Sequence, residues 1–210
     1  MNVWRQALVV LLVILFAVGC ATGRSEMTSQ VNPAHGEREF TRVVVLGNFQ
    51  SLEYRHEAEI VFCEDLGYMA EGDCLLAHEI FFPAQEYTEE QISERFRELD
   101  VDALIVLKPT DRGTFTSHVP QTSYTTTTAA ATVNTFSGSN VTQSFNVEQP
   151  WGHYEVILYS VPEDQVVWYA TAESTGSSHA GSKHLVGSVA EKAVEQLLED
   201  EIFPRKLWWW

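Results

Sequence analysis

Positive charge is scarce. The 210 residues carry 13 Lys and Arg against 29 Asp and Glu, a formal net charge of −16. Nucleic-acid binding needs clustered Lys and Arg on phosphates, so that function class is excluded. Adhesion to anionic lipid through a polybasic surface is excluded on the same ground. Cysteine is nearly absent, with three in the chain and no CxxC, which removes the usual zinc and dithiol patterns. The seven His are scattered and form no HExxH. No EF-hand loop and no GxSxG elbow occurs. The run from Gly176 to Lys183 comes nearest to a phosphate loop. Its Ser182 and Lys183 stand in the reverse of the order in GxxxxGK[ST], which moves the Lys off the position that reaches phosphate. No catalytic residue, metal or cofactor is expected, and the chain reads as a non-enzyme. A long apolar run is missing too. The longest, Ala7 to Val18, has 12 residues, short of the about 20 that span a bilayer as a helix.

That short run is informative in its place. Arg5 precedes it, and Ala17-Val18-Gly19-Cys20 follows it. Basic residue, apolar run and small residues are the parts of a secretory signal over residues 1–19. The last four residues resemble the bacterial lipobox, with Ala17 where that pattern usually has Leu. The resemblance implies cleavage before Cys20 and lipidation of Cys20. Two or more acyl chains hold a protein stably, at about 0.8 kcal/mol per buried CH₂. Ala21 after the cysteine implies outer-membrane delivery with the domain facing the periplasm. Cleavage removes 19 residues, leaving 191, and removes one cation and no acid, taking the net charge to −17.

In an oxidising compartment the remaining pair, Cys63 and Cys74, reads as a disulfide, with a Cys/His metal site as the alternative. Residues 20–40 are polar, contain Gly23, Pro33 and Gly36 and show no apolar period. They read as a flexible tether, with a typical span of about 25 Å for 20 residues. A single domain is expected over 41–204. Arg42 to Phe49 reads as a buried strand, Arg55 to Leu66 as a helix with Gly67 as its C-cap, and His78 to Phe82 as a short strand. Thr88-Glu89-Glu90-Gln91 is a capping box that opens a helix through Ile92, Phe96 and Leu99. Asp102 to Leu107, Trp151 to Val161 and Val166 to Glu173 read as strands, the last two joined by a tight turn over residues 162–165. Two rows, Leu185/Val189/Ala193/Leu197 and Val186/Ala190/Val194/Leu198, give the last helix a broad apolar face. The order is β-α-β-α-β-β-β-α, an α/β fold (α+β-like) with helices packed on a mixed β-sheet in two or three layers.

Two segments stand apart. Residues 111–150 hold 10 Thr and 5 Ser with three charges, and read as a loop or a surface β-ribbon with Val141 to Val147 as one arm. A membrane-inserting hairpin is the sharper reading. Residues 205–210 form a basic-aromatic tail in which Arg205, Lys206, Trp208, Trp209 and Trp210 suit a partner or membrane contact.

Val43-Val44-Val45-Leu46, Asp102-Ala103-Leu104-Ile105-Val106, Val166-Val167-Trp168 and the helix from Leu185 together resemble a known layout. It is that of the Tol-system translocation protein's amino-terminal domain, the curli secretion channel lipoprotein and the lipoprotein activators of peptidoglycan synthases. The resemblance covers about residues 41–203 and rests on core positions. It implies an uncharacterised type of bacterial envelope lipoprotein, lipid-anchored and acting as an interaction or accessory module with an envelope protein partner. The alternatives are a subunit of an oligomeric outer-membrane secretion channel and a periplasmic enzyme.

Overall fold

The computed structural model describes residues 23–34, 39–120 and 144–206. Among them six strands form one open sheet in the order β1-β6-β5-β4-β2-β3. In chain order these are β1 (Gly23–Val31), β2 (Arg42–Gly47), β3 (Asp73–Leu76), β4 (Ala103–Pro120), β5 (Ser144–Ser160) and β6 (Gln165–Gly176). The helices are α1 (Leu52–Met69), α2 (Ala77–Ile80), α3 (Glu89–Glu98) and α4 (Ser182–Glu199). β3, β2 and β4 are parallel, and β4, β5, β6 and β1 are antiparallel neighbours.

The β-branched run of β2 is buried on both faces because helices lie on both. Val43 and Val45 meet Ala58 and Phe62 of α1, while Val44 meets Phe96 of α3. Both predicted rows of α4 are buried, and the helix lies over β1, β6 and β5 beside α1. The sheet is therefore covered on two faces at its parallel end and on one at its antiparallel end. Gly47 is required where β2 passes into α1, since a Cβ there would stand 2.8 Å from the Arg55 carbonyl oxygen. The capping box forms: the Gln91 N–H donates to Thr88 Oγ1 at 3.3 Å and the Thr88 N–H to Gln91 Oε1 at 2.9 Å. Cys63 of α1 and Cys74 of β3 form a disulfide.

Three expectations are corrected. Residues 20–40 are not a tether throughout, because Gly23–Val31 pairs residue for residue with β6, from Gly23↔Gly176 to Val31↔Trp168. Its inward positions are Gly23, Ser25, Met27 and Ser29, small or polar because α4 crosses directly above them. A Cβ on Gly23 would stand 2.9 Å from the His184 carbonyl oxygen. Ser25 Oγ lies 2.9 Å from both Ser174 Oγ and Ser188 Oγ, and Ser29 Oγ donates to Asp200 Oδ2 at 2.6 Å. Hydrogen bonds replace the apolar period that marks most strands. Second, His78 to Phe82 is not a strand. Asp73–Leu76 is the strand, and the chain turns into α2 at Ala77. Third, α1 runs through Gly67 to Met69, because its last carbonyls find donors in the chain's end: the Lys206 N–H reaches Met69 O at 2.9 Å and Lys206 Nζ reaches Gly67 O.

The ribbon reading of residues 111–150 holds where the chain is described. β4 and β5 stay paired to Pro120↔Ser144, and residues 121–143 lie outside the described set.

A buried carboxylate ties the parallel end together. Glu59, fully buried on α1, accepts from the Gly47 N–H at 3.0 Å and the His78 N–H at 2.9 Å, and its Oε2 lies 2.6 Å from His78 Nδ1. The His56 ring lies 4.1 Å from that of His78. One side chain thus joins α1, the end of β2 and the start of α2. Orphaning a buried donor costs about 1–3 kcal/mol, so Glu59→Ala, which orphans two backbone N–H groups, should lower the urea-unfolding free energy by about 2–5 kcal/mol. An unchanged midpoint would show that this carboxylate does not hold the elements together.

Candidate functional site

The connections out of β2 define a crevice. β2 leads through α1, on one face, to β3. β3 leads through α2 and α3, on the other face, to β4 on the far side of β2. Open α/β sheets place ligands outside the carboxyl ends of strands where the winding reverses in this way. Here the parallel pairing ends at Gly47, the last residue of β2, and at Leu107, the last residue of β4 paired with it. The strands β4, β5, β6 and β1 continue past this level and form one wall, and the starts of α1 and α4 form the other.

A β-bulge between Pro109 and Asp111 shapes the wall. Pro109 lies opposite Tyr154, while Arg112 lies opposite Gly152. Residues 152 and 154 share a face of β5, so the extra residue brings Arg112 onto the face that carries Leu107 and Pro109. Gly152 leaves room for the phenol: a Cβ there would stand 2.7 Å from the Tyr154 hydroxyl. The inner cavity, about 180 Å³, is lined by Phe49, Tyr54, Arg112, Tyr154, Ser182 and Leu185 among others. Phe49 packs its ring 6.5 Å from Tyr54 and 6.4 Å from Tyr154. A more open outer part, about 570 Å³, adjoins it through Phe49, Pro109 and Arg112 and adds Asn48, Gln50, Arg55 and Asp111.

The cleft brings together two of the described cations that have no acid partner. Arg55 Nη2 donates to the Phe49 carbonyl at 3.3 Å, and its Nε is buried with no hydrogen-bond partner. Among the described residues no carboxylate pairs with Arg55 or Arg112. Arg42, Lys108 and Lys183, by contrast, each hold an acid within 3.0 Å. Asp111, the one acid lining the cleft, accepts the Arg112 backbone N–H at 2.8 Å. Burial pushes the Tyr154 phenol up to about 12; the nearby Arg112 guanidinium opposes that rise and Tyr54 adds to it. Guanidinium, phenol and amide groups around an aromatic floor are suited to hold an anionic or hydrogen-bonding ligand. No His, Cys or Lys lines either part of the cleft. Among the described residues no group of three or more His, Cys, Asp or Glu is placed to hold a metal.

The residues singled out by sequence lie elsewhere. Cys20, Trp208, Trp209 and Trp210 fall outside the described residues. The Cys63–Cys74 bridge joins α1 to β3 at the opposite end of the sheet from the cleft. Arg205 and Lys206 are at that end too. Arg205 pairs with Ala70 in an isolated bridge and its Nη2 reaches Leu198 O at 3.5 Å, while Lys206 is bonded to the end of α1. Both cations thus meet the carbonyls of helix ends, where positive charge is favourable. Among the described residues no helix is long and apolar enough to cross a membrane.

No family model matches the chain, and no match was found among curated proteins. Solved structures with a similar arrangement include the PelC dodecamer from Paraburkholderia phytofirmans, at 16% identity and a TM-score of 0.48, covering 87% of this chain and 99% of that one. Lipoprotein GNA1162 from Neisseria meningitidis has 13% identity and a TM-score of 0.42, covering 76% of this chain and 99% of that one. The hypothetical protein CT253 from Chlamydia trachomatis has 9% identity and a TM-score of 0.35, covering 78% and 97%.

The raised Tyr154 pKa carries a sign. The phenol deprotonates in the unfolded chain near 10 and in the folded chain only near 12. Between these values the unfolded state holds fewer protons, so stability falls as pH rises. Tyr154→Phe should flatten the decline of Tm between about pH 10 and 12, with little change at pH 7 in that slope. An identical slope in the variant would show that Tyr154 is not buried as described.

Proposed function

We propose that this is a lipid-anchored envelope protein acting as a non-enzymatic interaction or accessory module, held at the outer membrane through Cys20 with its domain in the periplasm. The observation that supports it most is the start of β1. Only two residues, Ala21 and Thr22, separate Cys20 from Gly23, three chain steps with a reach of at most about 11 Å. A chain anchored at Cys20 therefore has its domain close against the bilayer, with the Gly23 end of the sheet toward the lipid.

That end carries the cleft and the ribbon. Arg24, next to Gly23, pairs with Thr175, Thr175 with Trp151, and Trp151 with Gly113, so these residues lie in one row at the Gly23 end. From Gly113 to Pro120 the ribbon continues for about 23 Å past the row, at about 3.3 Å per residue. The last described residue, Lys206, lies at the far end beside Met69. In this reading one end of the domain works at the membrane surface, and the basic-aromatic tail with Trp208, Trp209 and Trp210 is offered to an envelope partner on the periplasmic side. A second reading, a subunit of an oligomeric outer-membrane secretion channel, draws support from the same ribbon, which is longer than the distance from Gly23 to Cys20. A homo-oligomer in detergent extracts favours it, and a monomer removes it.

Cys20→Ser should move the protein from the membrane to the soluble fraction. In lipidated full chain reconstituted into vesicles, a dye on Thr116→Cys should be quenched by quencher-bearing lipid and a dye on Glu71→Cys should not. Equal quenching at the two positions, or quenching at residue 71 alone, would contradict the proposed orientation.

A further inference from the structure

We infer that the cleft at the carboxyl ends of β2 and β4 binds an oxyanion, the carboxylate or phosphate group of a small ligand, between Arg55 and Arg112, with the rest of the ligand on the aromatic floor. This rests on the geometry of the cleft and not on the anchoring at Cys20.

The charge balance comes first. The chain has 29 carboxylates for 13 Lys and Arg, so a cation without an acid beside it is not for want of acids. Two guanidinium groups line one cleft, and among the described residues neither has a carboxylate partner. Asp111, also in the lining, accepts the Arg112 backbone N–H and forms no ion pair with either guanidinium. A ligand anion supplies the missing charge, and the planar guanidinium matches the paired oxygens of carboxylate and phosphate.

The second observation is the donor left over on Arg55. Its Nε is buried and makes no hydrogen bond, although Nη2 of the same group is fixed on the Phe49 carbonyl. A buried donor without an acceptor is unfavourable. An oxyanion in the cleft is an acceptor of the right kind for it once the Arg55 side chain turns toward the opening.

The third is the fit of floor and volume. Phe49, Tyr54 and Tyr154 give an apolar surface, and the Tyr154 hydroxyl, protonated at all physiological pH values, can donate to an anion. The inner space of about 180 Å³ and the outer space of about 570 Å³ admit a single ring or headgroup rather than a polymer. Since the cleft is at the Gly23 end of the sheet, the anion has two possible sources, a soluble metabolite or a lipid headgroup.

The test is side-chain NMR of the full lipidated chain in non-ionic detergent, observing the Nε–H resonances of Arg55 and Arg112. Inorganic phosphate and benzoate probe the soluble source, and nanodiscs containing phosphatidylglycerol, against phosphatidylcholine alone, probe the headgroup. Saturable shifts of both resonances in either arm are expected, and the arm that responds identifies the source. Arg112→Gln, at an exposed position, should weaken binding by roughly tenfold or more with an unchanged Tm, and Arg55→Gln should do the same where it folds. No shift in either arm, or an affinity that Arg112→Gln leaves unaltered, overturns the inference. Either result is independent of the dye-quenching outcome, so failure of one proposal does not imply failure of the other.

Discussion

The ladder between β1 and β6 constrains everything else about how this molecule is placed. Nine residues of β1 are paired along its full length, and the pairing is held from above by α4. Asp200, just past the end of α4, receives Ser29 of β1 and the indole of Trp168 of β6 on the same oxygen, each at 2.6 Å. Met27 adds an apolar contact to the core. Because the ladder begins at Gly23, two residues rather than about twenty link Cys20 to the folded domain. A freely swinging domain becomes one with a defined end toward its anchor.

The same ladder sets which features share an end. Strand direction alone puts the start of β1, the end of β6, the ribbon of β4 and β5 and the start of α4 together, and the carboxyl ends of β2 and β4 open just below them. The disulfide, the end of α1 and the chain's last described residues collect at the other end. The acidic surface remains solvated between, and the cleft with Arg55 and Arg112 is the local exception to it.

Where burial is apolar, the sequence reads correctly. The valines of β2, the strand from Val166 to Glu173, the capping box of α3 and the two rows of α4 all appear at the expected residues, because strand propensity, hydrophobic period and cap chemistry act locally. β1 was not legible, since its inward face is Gly, Ser, Met and Ser and its strand character comes from a helix and a strand about 150 residues away. Residues 77–80 were misread for a related reason. Their apolar pattern fits a short strand equally well, and the helix is selected by Glu59, whose carboxylate receives the His78 N–H. The candidate site was the least visible part. Arg55 and Arg112 carry no motif, and what brings them together is a strand order and a one-residue bulge at Pro109. The only signal available was positional, in that Arg55 follows β2 and Arg112 lies in β4 beyond its pairing with β2, two adjacent parallel strands.

The central claim is that residues 23–31 are a structured edge of the domain, and amide hydrogen exchange tests it most directly. In the full chain in detergent at neutral pH, the β1 amides that face β6 should exchange orders of magnitude more slowly than an unstructured peptide, with protection approaching that of β6. Complete exchange of the whole segment 23–31 within seconds, while β6 and α4 stay protected, would contradict it and restore a long flexible tether between lipid and domain.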